Sequence, residues 1–307
     1  MASKAQLATL EELVACFEDL EDPRSEVNRK HPLVSVVSIS IMAVLAGADG
    51  PTSIHRWAMN LEEQLPQVLD LPNGIPSRDV IRRVLCALRP EVFQQCFSEW
   101  IDRLIGVSDG QSQRHVAVDG KTLRGSSDTN KGIGPLHLVS AWASEKGLTL
   151  AQVPTDQKSN EITAIPELLK LIDLGKSIIT MDAMGTQKKI AQQIVDGNGN
   201  YILALKANHE STHTAVINYV EELLNDNPSR TPHQQLDDSP KKQIHGRKES
   251  RIYMQFEVPS DFPNRGHWAG LRTIGLVVYT VTQGDKEQTD IRYYLSSLPL
   301  DVGVFAR

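Results

Sequence analysis

Two aspartates stand where chemistry is more natural than packing. The run His115-Val-Ala-Val-Asp119-Gly120 is a short β-branched, apolar stretch that ends on a carboxylate followed by glycine, and Ser177-Ile-Ile-Thr-Met-Asp182-Ala-Met-Gly185 repeats the design further on. Each reads as a buried strand delivering an acid at its C-terminal end. An Asp closing a strand is by itself as often a turn former as a ligand. Two at matching positions could share a divalent cation, and hard carboxylate oxygens suit Mg²⁺ or Mn²⁺. Two such metals held about 3.5–4 Å apart can activate a nucleophile and stabilise a leaving oxygen in phosphodiester chemistry. Asp119 and Asp182 are therefore the candidate catalytic and metal-ligating residues.

The elements around them predict how they meet. Strands at His115–Val118, Leu136–Ala143 and Leu148–Val153 form an antiparallel meander. A helix to Ile172 with Glu161 in its first turn follows, then the Ser177–Met181 strand, a helix over Thr186–Val195 and the Asn200–Lys206 strand. Three strands, helix, strand, helix, strand is the order of a ribonuclease-H-like mixed sheet, whose first and fourth strands lie side by side. A long helix over Glu210–Leu224, a polar, Pro-punctuated loop over Asn225–Pro240 and strand-like runs at Ile252–Val258, Thr273–Thr282 and Ile291–Ser296 give a β-rich insertion over about 225–298.

Ahead of this the pattern is helical: 7–20, a strongly apolar segment Leu33–Ala48, Ser53–Leu69, Arg78–Leu88 with Ser77 as cap, and Val92–Ile105. The Gly/Ser-rich stretch 106–114 is a linker, so the division is a helical domain over 1–108 and a mixed-sheet domain over 109–307. Arg78, Arg82 and Arg83 follow a Gly-containing turn, compatible either with a helix-turn-helix-like DNA reader or with a solvated basic face.

The net charge of -6 in 307 residues gives no global sign of nucleic-acid binding, so basic patches must be sought locally. The clearest is Lys241-Lys-Gln-Ile-His245-Gly-Arg247-Lys248-Glu249-Ser-Arg251, five Lys/Arg against one acid, where His245, Arg247, Lys248 and Arg251 read as phosphate contacts. Lys121, Arg124, Lys158 and Lys206 stand near the predicted acid site and read either as phosphate contacts or as solvated loop residues. Cys16, Cys86 and Cys96 have no metal-ligand spacing and read as buried, reduced thiols. Trp57, Trp100, Trp142 and Trp268 read as core or packing residues rather than base-stacking platforms. No apolar run approaches the roughly 20 residues that span a bilayer, and the start lacks a secretory pattern, so the expected location is cytoplasmic. His209-Glu210-Ser-Thr-His213 matches the H-E-x-x-H zinc-protease signature, but His209 falls at a strand-to-helix junction rather than inside a helix.

Several separated runs resemble one family. Phe17-Glu-Asp-Leu-Glu-Asp-Pro-Arg24, Val118-Asp-Gly-Lys-Thr-Leu-Arg-Gly125, Lys158-Ser-Asn-Glu-Ile162, Thr180-Met-Asp-Ala-Met-Gly185, Leu203-Ala-Leu-Lys-Ala-Asn208, His245-Gly-Arg247 with Glu249 and Arg251, and Tyr293-Tyr-Leu-Ser-Ser-Leu298 are similar to the H-repeat-associated members of the bacterial insertion-sequence DDE transposases. The resemblance implies a transposase-associated helical domain and a ribonuclease-H-like catalytic domain. It also implies Mg²⁺-dependent cutting and joining of element-end DNA by a homo-oligomer on DNA, with Asp119 and Asp182 as the first two catalytic acids. In two places the chain departs from the family pattern. His209 stands where the family usually has Gln, and the family's third acid, a Glu on a helix after the insertion in a segment like His-Trp-x-Ile-Glu-Asn, has no counterpart before Arg307. Glu249 is the nearest substitute. The expectation is a truncated transposase, weak or inactive, with a non-catalytic DNA-binding remnant as the alternative.

Overall fold

A computed structural model describes residues 10–105, 113–123, 126–127, 134–144, 147–155, 161–226, 233–240, 247–284 and 286–307. The chain forms two compact units, Met1–Gly110 and Gln111–Arg307.

In the first unit α2 (Leu33–Leu45) is the buried helix that its uninterrupted apolar run predicts. Val36, Val37, Ile39 and Ala43 are wholly inaccessible, and the interleaved serines are buried with them. Two of them are satisfied there, because Ser40 donates back to the Val36 carbonyl (2.7 Å) and Ser35 to the Asp70 carbonyl (2.8 Å), while the Ser38 hydroxyl has no partner among the described residues. Around α2 lie α1 (Leu10–Phe17), α3 (Pro51–Met59) and α4 (Arg78–Ala87), and α5 (Pro90–Ile105) packs on α1. Pro51 and Pro90 each open a helix, where the missing N–H costs nothing. The third helix is shorter than the expected Ser53–Leu69. It ends at Met59, and Pro66 sits in a separate 3₁₀ turn, Leu65–Gln67, because proline cannot supply the N–H that a continuous helix would need. Residues 60–77 therefore separate α3 from α4, too many for the three- to four-residue turn of a helix-turn-helix.

Ser77 caps α4 as expected, its hydroxyl accepting from the Val80 N–H at 3.4 Å. Ile81 and Val84 face inward while Arg78, Arg82 and Arg83 are exposed. Asp22 and Arg24 fasten the turn after α1. Two parallel N–H···O bonds of 2.7 and 2.9 Å join them, and the same guanidinium reaches the His31 carbonyl at 2.9 Å. Burial works to raise the Asp22 pKa, but the hydrogen bonds and charge of Arg24 outweigh it and hold the carboxyl below its ordinary value.

The second unit is built on one nine-stranded sheet in the order β3-β2-β1-β4-β5-β9-β8-β7-β6. β1 (Arg114–Thr122), β2 (His137–Ala143) and β3 (Leu148–Thr155) form the antiparallel meander. After α6 (Glu161–Leu169), β4 (Ser177–Met181) pairs parallel to β1. α7 (Lys188–Asp196) then leads to β5 (Asn200–Leu205), parallel to β4. This is a helical region followed by the mixed sheet of the ribonuclease-H-like fold. Its parallel centre is nearly continuous in buried apolar residues, with Val116, Ile179 and Leu203 at or near zero exposure.

After α8 (Glu210–Asp226) come β6 (His233–Asp237), β7 (Arg247–Glu257), β8 (Thr273–Gln283) and β9 (Lys286–Ser296). The strand-rich segment anticipated over 225–298 thus extends the central sheet: β9 returns to pair antiparallel with β5. One stretch anticipated as loop, 233–237, is an edge strand. Its side chains are all exposed, so no apolar alternation marked it, and it is held by its ladder with β7. The short α9 (Val302–Phe305) lays Phe305 across the sheet. A side chain on Gly275 would collide with the Phe305 ring, so the absent Cβ admits the aromatic. Two further expectations change here. Trp142 is 43% exposed on β2 rather than in the core, and of the cysteines Cys16 is buried while Cys86 is exposed and Cys96 half-buried.

Candidate functional site

The parallel register of β1 and β4 positions the acids. Val118 is paired with Met181, so Asp119 and Asp182 each stand one residue beyond a matched pair. Neighbouring strands lie about 4.8 Å apart, which puts the two backbones side by side at the C-terminal edge of the parallel strands. Both carboxylates are exposed, whereas Val118 and Met181 beneath them are buried. β1 does not stop at Asp119: on the β4 side pairing ends at Val118, while on the other side it runs to Thr122 against β2. Asp119 therefore rests on a backbone held by Ser140, its partner on β2.

Asp182 is fixed by its own turn. Its Oδ1 accepts the N–H groups of Met184 and Gly185, both at 3.0 Å, which orients the carboxyl and leaves Oδ2 without a protein partner among the described residues. A Cβ at Gly185 would press on Met181 and Ile165, which lie just beneath the turn. Thr186 ties the turn to β5 by donating to the Ala204 carbonyl at 2.7 Å, and Asn208 donates to the Ala183 carbonyl at 2.7 Å.

A narrow crevice between β1, β4 and α6 is lined by Asp119, Gly120, Asp182, Met184 and Glu161, among others. Glu161 opens α6, and its carboxyl lies directly over Gly120, occupying the space that a Cβ on Gly120 would need. On the sequence Glu161 is only a first-turn acid suited to the helix dipole. The signal that could have singled it out is its place in the Lys158-Ser-Asn-Glu-Ile162 run.

On the other side of Asp182 a cavity of about 700 Å³ is lined by Lys206, His213, Arg292 and Tyr293. Lys206 is exposed, just past the end of β5. Arg292 is bonded to Asp290 at 2.7 Å, and chiefly that bond raises its pKa, so it is a fixed cation. Burial raises the pKa of Tyr293, which stays neutral, and its ring meets His213 edge-on. Lys121 is exposed on β1, two residues beyond Asp119 and so on the same pleat face.

The basic segment lies elsewhere. The row holding Asp119 and Asp182 continues through Ala204, Tyr294, Gly275 and Gln255. Arg251 and Lys248 stand four and seven residues before Gln255 on a strand four places from β4, roughly 20 Å or more from the acids. There they overhang β5 on the same end of the sheet. Arg251 is paired with Glu249 at 3.2 Å and stacked on Tyr279 at 5.4 Å, so Glu249 is remote from the acid pair and already engaged. Arg247 begins β7 opposite Gln283. Arg124, Lys158 and His245 lie outside the described residues.

The H-E-x-x-H match does not form a two-histidine helix face. His209 belongs to the 3₁₀ turn Ala207–His209, its Nε2 lies 2.5 Å from the Thr186 carbonyl, and its ring meets Trp268 edge-on, while His213 meets Tyr293. The α-helix begins only at Glu210, so the motif's first ligand is off the helix that should carry it.

Comparison with known proteins decides the family. Residues 110–294 match the model of the Transposase DDE domain, and residues 14–101 match the DDE_Tnp_1-associated model. The chain belongs to the H-repeat-associated DDE transposase family. It is 37% identical over 307 residues to "Putative transposase YncI" of Escherichia coli O157:H7, covering 97% of this chain and 75% of that one. It is 34% identical over 302 residues to "H repeat-associated putative transposase YhhI" of Escherichia coli, covering 97% and 78%. In this transposase chain Asp119 and Asp182 both fall within the region matched by the DDE-domain model. No helix among the described residues of the transposase is long and apolar enough to cross a membrane.

Proposed function

We propose that this transposase cleaves and joins insertion-sequence DNA at a divalent-metal site held by Asp119 and Asp182, acting in the cytoplasm as a homo-oligomer on element ends. The observation that carries the reading is the matched register of the two acids across β1 and β4. The donor set fits the metal: oxygen ligands only, one carboxyl held by two backbone N–H groups with an oxygen to spare, as Mg²⁺ or Mn²⁺ prefers. Bound there, the ion would supply Lewis acidity to the phosphodiester and lower the pKa of an attacking water or hydroxyl.

The chain's own residues do the rest. Asp119 and Asp182 hold charge where the reacting phosphate must sit. Lys121 and Lys206 flank them as phosphate contacts, with Arg124 and Lys158 in the same role. His245, Arg247, Lys248 and Arg251, on and before the overhanging β7, guide the duplex at a distance from the reacting phosphate. The helical unit, with a division near residue 108, carries the exposed face Arg78, Arg82 and Arg83.

A second reading, a DNA-binding protein that occupies element ends without cutting them, draws on one observation. Among the described residues no group of three His, Cys, Asp or Glu is gathered in a way that would hold a metal. Incubation of labelled element-end duplex with the 307-residue chain and Mg²⁺ or Mn²⁺ separates the two. Metal-dependent nicking that Asp119→Asn abolishes supports the first, and retarded but uncut DNA supports the second.

A further inference from the structure

His209, which the H-E-x-x-H match leaves without a metal role, is tied to the turn that orients Asp182. β5 runs parallel to β4, so the 3₁₀ turn Ala207–His209 after β5 lies beside the turn after β4. Two side chains reach across: Asn208 donates to the Ala183 carbonyl at 2.7 Å, and His209 Nε2 lies 2.5 Å from the Thr186 carbonyl. A carbonyl only accepts, so Nε2 carries the hydrogen and donates. Thr186 is fully buried, and it precedes Gln187, the cap of α7, whose own carbonyl takes the first helical N–H, that of Ala191. The helix ladder therefore supplies nothing to the Thr186 carbonyl, and His209 provides the donor that a buried carbonyl needs. The histidine ring is itself held edge-on by Trp268, which is buried and donates to Thr212. Between Ala183 and Thr186 stand Met184 and Gly185, whose N–H groups fix Asp182 Oδ1. The carbonyls flanking the turn are thus gripped from the β5 side, while its inner N–H groups grip the carboxyl.

We propose that His209 is a positioning residue for Asp182: by donating to the Thr186 carbonyl it sets the turn whose N–H groups orient the carboxyl. This rests on the metal-site reading above and adds to it a residue that touches neither ion nor DNA. Groups of this kind act on a metal through the ligand they hold, and their loss weakens binding without removing a donor atom.

Two readouts on the 307-residue chain test the assignment without turnover: hydrogen exchange of the Met184 and Gly185 amides in the absence of metal, and Mn²⁺ binding by calorimetry. His209→Phe keeps a ring against Trp268 and removes the donor. It should speed exchange at those two amides about tenfold or more while the Val116 amide in β1 keeps its protection, and it should weaken Mn²⁺ about tenfold. His209→Gln, whose amide nitrogen stands as many bonds from Cα as Nε2 does, should restore both. His209→Asn stops one bond short, so it should behave as His209→Phe does and answers the question if the phenylalanine variant folds poorly. Equal impairment in the glutamine variant would show that the ring contact acts and not the donor, and would overturn the proposal. Wild-type exchange and affinity in His209→Phe and His209→Asn, with Mn²⁺ binding lost in Asp182→Asn, would overturn it and leave the metal site standing. If Asp182→Asn binds Mn²⁺ as the wild type does, the site reading and the role given to His209 both fall.

Discussion

Asp119 and Asp182 are neighbours across a parallel strand pair, each one residue beyond the matched positions Val118 and Met181. Two like charges at this spacing repel, and without a cation they weaken the edge of the sheet they crown. Asp119→Asn is therefore expected to leave the metal-free melting temperature unchanged or slightly raised. Mg²⁺ should raise the melting temperature of the wild-type chain and not that of the variant, because only a folded, two-carboxylate site gains from binding. Differential scanning calorimetry with and without Mg²⁺ measures both, and an equal metal response in the two chains would count against the pair.

Gly275 and Phe305 form a lock between sheet and C-terminal helix. Gly275→Val should destabilise by about 1–3 kcal/mol by forcing the ring off the sheet. Phe305→Ala should cost about 3 kcal/mol by leaving the cavity among Tyr253, Tyr294 and Val302. Urea unfolding of each variant gives the values; losses under about 0.5 kcal/mol would show that the contact is not stabilising.

Gln255 is fully buried and wholly engaged. Its amide donates to Thr273 Oγ1 (2.8 Å) and the Pro299 carbonyl (3.2 Å), and its oxygen accepts the Asp301 N–H (2.8 Å). Gln255→Leu strands those partners out of water and should cost about 2 kcal/mol or more. Hydrogen exchange should show the Asp301 amide losing protection, and retained protection would contradict the account.

The Asp22–Arg24 clamp predicts an acid-sensitive helical unit. The folded Asp22 pKa lies below the ordinary value near 3.8, so the pair's contribution is present above that pH and disappears as pH falls through the folded value. Asp22→Asn should cost about 3 kcal/mol at pH 7, because it leaves the Arg24 guanidinium, itself 8% exposed, without its counter-charge. The gap between wild type and variant should begin to narrow below about pH 4 and go on narrowing as pH falls further. Denaturant titrations across pH 3–7 would show a constant gap if the pair were inert.

The site was legible where it is written in one strand at a time. Apolar β-branched runs ending in Asp119 and Asp182 specify strands and their ends, and the alternation of helix and strand specifies that β1 and β4 adjoin. The position of Glu161 over Gly120 was not legible, because it depends on how α6 packs on β2 and β3. The 233–237 edge strand has no apolar face to announce it; its partner β7 imposes it. Trp142 and Cys86 were assigned inward from residue type alone, and type does not decide which face of β2 or α4 is covered. The basic run of 241–251 was visible as charge, but its separation from the acids follows only from the sheet order.

The most direct test of the central claim is strand cleavage of element-end DNA by the 307-residue chain, Asp119→Asn and Asp182→Asn, each with Mg²⁺, with Mn²⁺ and with chelator. The account predicts metal-dependent nicking by the wild-type chain, a fall of about 10³-fold or more in either variant, and DNA binding retained in both. Cleavage that persists in either variant, or that proceeds at the same rate in chelator, would contradict it.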